Sequence, residues 1–210
     1  MSKMEKVVEE VIAGNVDGVT ELTQELVDEG TKPSQIIKEG LVAGMDVVGG
    51  RFKKNEMFVP EVLISAKAMH GGMDIVKPLL TEGESSSAGT VIMATVEGDL
   101  HDIGKNLVAM MLEGAGFEVV DLGVDVTADE FVEAVKEHQP DIVGLSALLT
   151  TTMPAMEETL KSLEEAGIRD QVKVMVGGAP VSEGFANEIG ADGYAADGST
   201  ATDIAREFVS

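Results

Sequence analysis

The chain has no cysteine, no tryptophan, one tyrosine and three histidines, and it sets 15 lysines plus arginines against 38 aspartates plus glutamates in 210 residues. Without cysteine there is no disulfide, no thiolate nucleophile and no thiolate metal site, which suits a reducing cytoplasm. The formal net charge of −23 argues against a nucleic-acid or anionic-membrane surface and suits solubility or basic docking faces on partner enzymes. No apolar run approaches the roughly 20 residues of a membrane span. The start, MSKMEKVVEE, lacks the apolar core of a signal peptide. A soluble cytoplasmic protein is the expectation. Three histidines also make the usual zinc set of three or four protein ligands hard to assemble.

What is present divides into two patterns. In residues 1–80 apolar side chains recur at helical spacing. Met4, Val7, Val8 and Val11 form one stripe, and Val19, Leu22 and Leu26 a second after Gly14-Asn15. Pro33 opens a third helix through Ile37, Leu41, Met45, Val48 and Phe52. A fourth follows Pro60 with Val62, Ala66, Met69, Met73 and Val76. This predicts an N-terminal four-helix bundle. Residues 81–89, TEGESSSAG, carry no apolar periodicity and read as a flexible linker. From residue 90 to 210, short apolar runs at Val91 to Val96, Val119 to Leu122, Ile142 to Leu145, Val172 to Val176 and Tyr194 to Ala196 alternate with helix-like segments. That alternation predicts an α/β domain, a flavodoxin- or Rossmann-like doubly wound parallel sheet. In such a sheet ligands sit at the carboxyl ends of the strands, at the switch point between the first and third.

The segment Gly98-Asp99-Leu100-His101-Asp102-Ile103-Gly104-Lys105-Asn106 follows the first strand. Residues i and i+2 of an extended strand end project to one side, so Asp99 can accept the Nδ1 proton of His101 and leave Nε2 to bind a metal. A metal already held by a macrocycle needs one axial protein ligand. The ligand count therefore favours a tetrapyrrole-type cofactor, and the paired cysteines of haem attachment are absent. Cobalt in a corrin ring is the best candidate. Asp102 reads as an acid at a helix N-terminus. His70 reads as a helix-surface or packing residue and His138 as an exposed helix end. A phosphate-loop reading of Gly104-Lys105 fails, because five residues separate Gly98 from Gly104 and Asn106 stands where Ser or Thr would bind magnesium.

D-x-H-x-x-G, filled by Asp99, His101 and Gly104, resembles the fingerprint of corrinoid-binding domains that hold cobalamin base-off with histidine on cobalt. Ser146-Ala147-Leu148 resembles the S-x-L element of that family, and Gly177-Gly178 its later G-G element, in the same order. The N-terminal half, including Phe52 and Met57-Phe58-Val59-Pro60-Glu61-Val62, resembles the helical cap of methyl-transferring members. The likeness covers nearly the whole chain. It is nearest to the stand-alone corrinoid proteins of three-component methyltransferase systems and the matching module of methionine synthase.

The resemblance implies roles residue by residue. His101 would ligate cobalt and Asp99 would back it, with Thr152 where some relatives place a serine that extends the pair into a triad. Gly104 would allow close approach to the corrin. Ser146, in the S-x-L element with Leu148, would hydrogen-bond the displaced base of the nucleotide tail, with Gly177 and Gly178 leaving room for it. Phe52, Val59 and Val62 would cover the upper face. The implied function is a methyl carrier between a substrate-specific methyltransferase and a second methyltransferase serving a folate or thiol, with a reductive activase, and without turnover of its own. His101 would detach and rebind during the cycle, and the cap would move about the Gly83 to Gly89 linker. Two alternatives stay open. One is the cobalamin-binding subunit of a radical isomerase; the other is a cobalamin-dependent regulator, which the acidic balance disfavours.

Overall fold

The computed structural model of the chain describes residues 1–80 and 87–210. Described residues of Met1–Ser87 with Glu113–Gly116 form one compact unit, and Ala88–Leu112 with Phe117–Ser210 the other. Most of the expected linker, residues 81–86, lies outside the described residues.

The first unit is helical. Helix α1 (Lys3–Ala13) opens on a reciprocal cap, in which Ser2 Oγ accepts from the Glu5 N–H and the Glu5 carboxylate accepts from the Ser2 N–H. It ends at Gly14, whose φ of 69° suits glycine. Helix α2 (Val16–Asp28) is capped by Asn15. Helices α3 (Pro33–Ile36) and α4 (Ala43–Lys53) run on through a π-helical stretch, Ile37–Val42. Helix α5 (Val59–Val76) begins with Pro60 in its first turn. Each expected stripe supplies core: Val7, Val11, Val19, Leu26, Leu41, Val48, Val62, Met69 and Val76 are all buried. Each aliphatic side chain of this kind contributes roughly 1.5–3 kcal/mol when fully buried. The π-helical stretch was not expected, because an extra residue in one turn leaves the apolar spacing almost unchanged.

The second unit alternates strand and helix: β1 (Thr90–Val96), α6 (Ile103–Gly114), β2 (Glu118–Val126), α7 (Ala128–His138), β3 (Ile142–Ser146), α8 (Met153–Glu165), β4 (Lys173–Gly177), α9 (Glu183–Glu188), β5 (Gly193–Ala195) and α10 (Gly198–Phe208). All strand pairs are parallel, in the order β2-β1-β3-β4-β5. This is the flavodoxin-like order, with its switch point between β1 and β3. Ile92, Ala94, Val143, Leu145, Val174 and Val176 build the core with Phe131, Met156 and Leu163 from the helices. Thr95 pairs with Ser146 and Ser146 with Gly177, so three strand ends stand in one row at the carboxyl edge.

Three boundaries differ from expectation. Strand β2 runs to Val126 instead of stopping at Leu122. Gly123, at φ 93°, accommodates a bulge just past the expected end of the strand. Val172 follows a short 3-10 turn, Arg169–Gln171, and β4 starts one residue later. Ala196 lies beyond the end of β5.

Candidate functional site: a carboxylate-backed histidine at the switch point

Beyond Val96 the chain turns sharply. Asp99 donates its N–H to the Val96 carbonyl at 3.1 Å, and Gly98 takes φ 80°, a left-handed conformation that glycine adopts without a Cβ clash. The turn drives the Asp99 carboxylate inward to 0% exposure. A buried charge is tolerated only with full pairing. Here Oδ1 receives the His101 N–H at 3.1 Å and the His101 ring Nδ1 at 2.8 Å, the contact that the i, i+2 spacing predicts. Oδ2 receives the backbone N–H groups of Leu148 at 2.7 Å and Leu149 at 3.3 Å. Thr152 Oγ1 lies 2.8 Å from the same Oδ2 and 2.9 Å from the Leu149 carbonyl, and its single hydrogen favours the charged acceptor. The extra methyl of threonine does not prevent the triad geometry.

Burial alone would push the Asp99 carboxyl up. The donors, led by the Leu148 N–H and the His101 ring, outweigh it and hold the group well below the usual carboxylate range. An ionised Asp99 holds the proton of a neutral imidazole on Nδ1, so Nε2 carries the lone pair. The His101 side chain is 53% exposed.

The surroundings of His101 are apolar and open. Leu100 is 72% exposed, Ile103 83%, Leu148 42% and Leu149 43%. A cluster of such side chains next to a half-exposed imidazole is expensive in water and suits a large apolar ligand. A Cβ at Gly104 would meet nothing within 4 Å, so there is open space in front of it. Gly177 and Gly178 have a different reason to be glycine. A Cβ at 177 would stand 2.9 Å from the Ala195 carbonyl oxygen, and one at 178 would overlap that of Ala147. Backbone packing by itself therefore demands both. Ser146 is half-buried at the end of β3.

The residues expected for the site belong to two different units. Asp99, His101, Gly104, Ser146, Leu148, Thr152, Gly177 and Gly178 all lie along the carboxyl edge of the sheet. Phe52, Val59 and Val62 belong to the helical unit, where Phe52 is half-buried, Val59 is 37% exposed and Val62 is fully buried in the core. His70 lies on α5, half-buried, and His138 is an exposed residue ending α7. Among the described residues no group of three or more His, Asp or Glu side chains could hold a bare metal ion.

Sequence reasoning missed two supports. Thr95 Oγ1 donates to the His101 carbonyl at 2.7 Å, fixing the loop from below. A lone hydroxyl in the buried run Val91 to Val96 was the available signal. Lys105, 2% exposed, reaches Asp121 on β2 at 2.5 Å and Asn106 at 2.6 Å. Its ammonium anchors the first turn of α6, so no phosphate reading is needed. Asp102 precedes α6, its carbonyl accepting from the Asn106 N–H and its carboxylate from the Asn106 side chain.

An α/β sheet with a carboxylate-backed imidazole at its switch point, beside exposed apolar side chains, defines a protein that holds a large ligand at its strand ends. A family model described as B12 binding domain matches residues 89–204, and a second model of that description matches residues 4–77. Trimethylamine corrinoid protein 1 of Methanosarcina acetivorans is 48% identical over 206 residues, covering 93% of this chain and 94% of that protein. A corrinoid protein of Desulfitobacterium hafniense is 43% identical over 212 residues, covering 100% of this chain and 98% of that one. Among solved structures, the methanol:cobalamin methyltransferase complex of Methanosarcina barkeri matches with TM-score 0.90 and 34% identity over 99% of this chain and 79% of that one. A cobalamin-binding protein from Desulfitobacterium hafniense matches with TM-score 0.81 and 33% identity over the whole of both chains. The chain belongs to the B12-binding domain family. Among its described residues no helix is long and apolar enough to cross a membrane.

Proposed function

We propose that the protein is a cytoplasmic methyl carrier, passing a methyl group on a bound corrinoid from a substrate-specific methyltransferase to a second methyltransferase that serves a folate or thiol. The observation that carries this reading is His101, with Nδ1 held 2.8 Å from a buried carboxylate and a half-exposed ring beside exposed leucines and isoleucine. That arrangement suits a base-off corrinoid with histidine on the metal. The corrinoid, when bound, supplies a cobalt centre able to accept and release a methyl group.

This chain's own residues do the rest. His101 would offer Nε2 to the metal of the bound corrinoid. Asp99 keeps the Nδ1 proton in place, and Thr152 and the Leu148 and Leu149 amides keep Asp99 ionised. The exposed Leu100, Ile103, Leu148 and Leu149 would shield the bound corrinoid from water. Gly104, with open space in front of it, would leave room for the ring, and Ser146, paired with Gly177 at the strand ends and followed by Gly178, would border the nucleotide tail.

Relatives named for trimethylamine and dimethylamine systems at 48% identity support a methylamine-type donor side. Their likeness across both units favours a carrier over an isomerase subunit or a regulator. A reductive activase completes the proposed partners.

The chain loaded with hydroxocobalamin should support methyl transfer from a methylated amine to a thiol or folate only with both methyltransferases and a reductant present. His101→Ala should lower that rate. Transfer at the same rate without this chain would contradict the carrier reading.

A further inference from the structure

Strand β2 is irregular at the place where it passes the Asp99 turn. Its register against β1 slips twice, from Met93 opposite Asp121 to Ala94 opposite Gly123, and then to Val96 opposite Val126. Each slip adds one residue to β2. Between them lie two left-handed residues, Gly123 at φ 93° and Asp125 at φ 56°. Left-handed backbone is uncommon for any residue but glycine, and aspartate and asparagine tolerate it best.

The distortion turns Asp125 toward the neighbouring loop. Its N–H donates to the Asp99 carbonyl at 3.0 Å, and its carboxylate Oδ1 accepts the Gly98 N–H at 2.7 Å. With the Asp99 N–H on Val96, the main chain of Asp99 is tied at both ends. Its carboxylate is tied separately, by the β3–α8 loop and His101.

We infer that Asp125 is a positioning residue for the histidine site: it clamps the Gly98-Asp99 turn from β2 and so sets where the Asp99 carboxylate presents His101. Asp125 is bonded to neither the imidazole nor the Asp99 carboxylate, and it acts through the backbone of Asp99. The inference rests on the reading that His101 ligates a corrinoid. Small errors in a supporting loop carry directly to the ligand atom, since a productive constellation tolerates about half an ångström. A neutral acceptor of the same shape would serve as well.

That requirement gives the test. In the full-length protein without cofactor, amide exchange at Gly98 is compared for the wild type and for Asp125→Ala, Asp125→Gly and Asp125→Asn. Loss of the charged acceptor in the Ala and Gly variants should speed Gly98 exchange by about tenfold, while Ile92 and Ala94 in β1 stay unchanged. Asp125→Asn should remain near the wild type. The same proteins are then loaded with cob(II)alamin and read by the nitrogen splitting in the electron paramagnetic resonance spectrum. The histidine-coordinated fraction should fall in the Ala and Gly variants and be preserved in Asn.

Wild-type behaviour of Asp125→Gly in both readouts would overturn the clamp, because backbone conformation alone would then suffice. Faster exchange with undiminished coordination would reduce Asp125 to a structural brace and overturn the positioning role. A His101→Ala control that leaves the spectrum unchanged would instead remove the ligand reading, and the exchange result would still decide the clamp.

Discussion

The two strands flanking β1 serve the same site by opposite means. Strand β3 pairs with β1 in unbroken register from Val91 opposite Ile142 to Thr95 opposite Ser146. Its regularity places Ser146 in line with Thr95 and sends the next residues, Leu148 and Leu149, directly over Asp99 with their N–H groups inward. Strand β2 slips twice and bends at two left-handed residues. Its irregularity is what brings Asp125 back onto the Gly98-Asp99 turn, while Asp121, just before the first slip, meets Lys105. A regular strand delivers groups beyond its end. An irregular one delivers groups from its side.

Removing the acceptor at the centre should separate these contributions with the largest effect. Asp99→Ala would leave the donors from His101, Leu148, Leu149 and Thr152 without their acceptor. A loss of about 3 kcal/mol is expected in urea-induced unfolding. A loss below about 1 kcal/mol would mean that the donors find water instead.

The β3 side alone is probed at Thr152. Thr152→Val deletes one hydroxyl donor in a nearly closed pocket and should cost about 1–2 kcal/mol, whereas Thr152→Ser should stay near neutral. A larger loss in Thr152→Ser than in Thr152→Val would assign the effect to packing of the methyl group.

The β2 side is probed at Lys105. Its side chain is 1% exposed, but its partner Asp121 is 41% exposed and can turn to water once the ammonium is gone. Lys105→Met should therefore cost only about 1 kcal/mol, less than the Thr152 change at most. A larger loss would show that β2 carries more of the site's stability than β3.

The last effect is set by pH. The Asp99 carboxyl lies below the usual carboxylate range in the folded protein, and in the unfolded chain it titrates near the ordinary aspartate value of about 3.9. Its contribution is fully present above that value and is lost as the pH falls through it toward the folded value. Unfolding free energies at pH 6 and pH 3 should thus converge between the wild type and Asp99→Asn as acid is added, by up to about 1.4 kcal/mol per pH unit. A constant difference across that range would contradict the depressed value.

The same contrast explains what could be read from the amino-acid order. The stripes of Val7, Val11, Val62 and Met69 and the runs of β1 and β3 follow regular periods, so helices, strands and their order were legible. Asp99 and His101 were legible as a pair from their i, i+2 spacing, but they meet in a side-chain turn beyond β1, with the His101 N–H also on the Asp99 carboxylate, and not in an extended strand end. Thr152 entered through likeness to relatives, since no local pattern links it to a residue 53 positions away. Asp125 was not legible. Gly123 ends a regular strand pattern, and only the bulges show that pairing resumes beyond it. Lys105 drew notice as a possible phosphate ligand, because sequence alone does not reveal that its ammonium turns inward to Asp121.

The central claim is that His101 is the protein's ligand to a corrinoid. An ultraviolet-visible spectrum of the protein reconstituted with hydroxocobalamin, beside His101→Ala under the same conditions, tests it most directly. A retained base-off spectrum that shifts when His101 is lost is expected. A folded protein that retains no corrinoid, or a His101→Ala spectrum identical to that of the wild type, would contradict it.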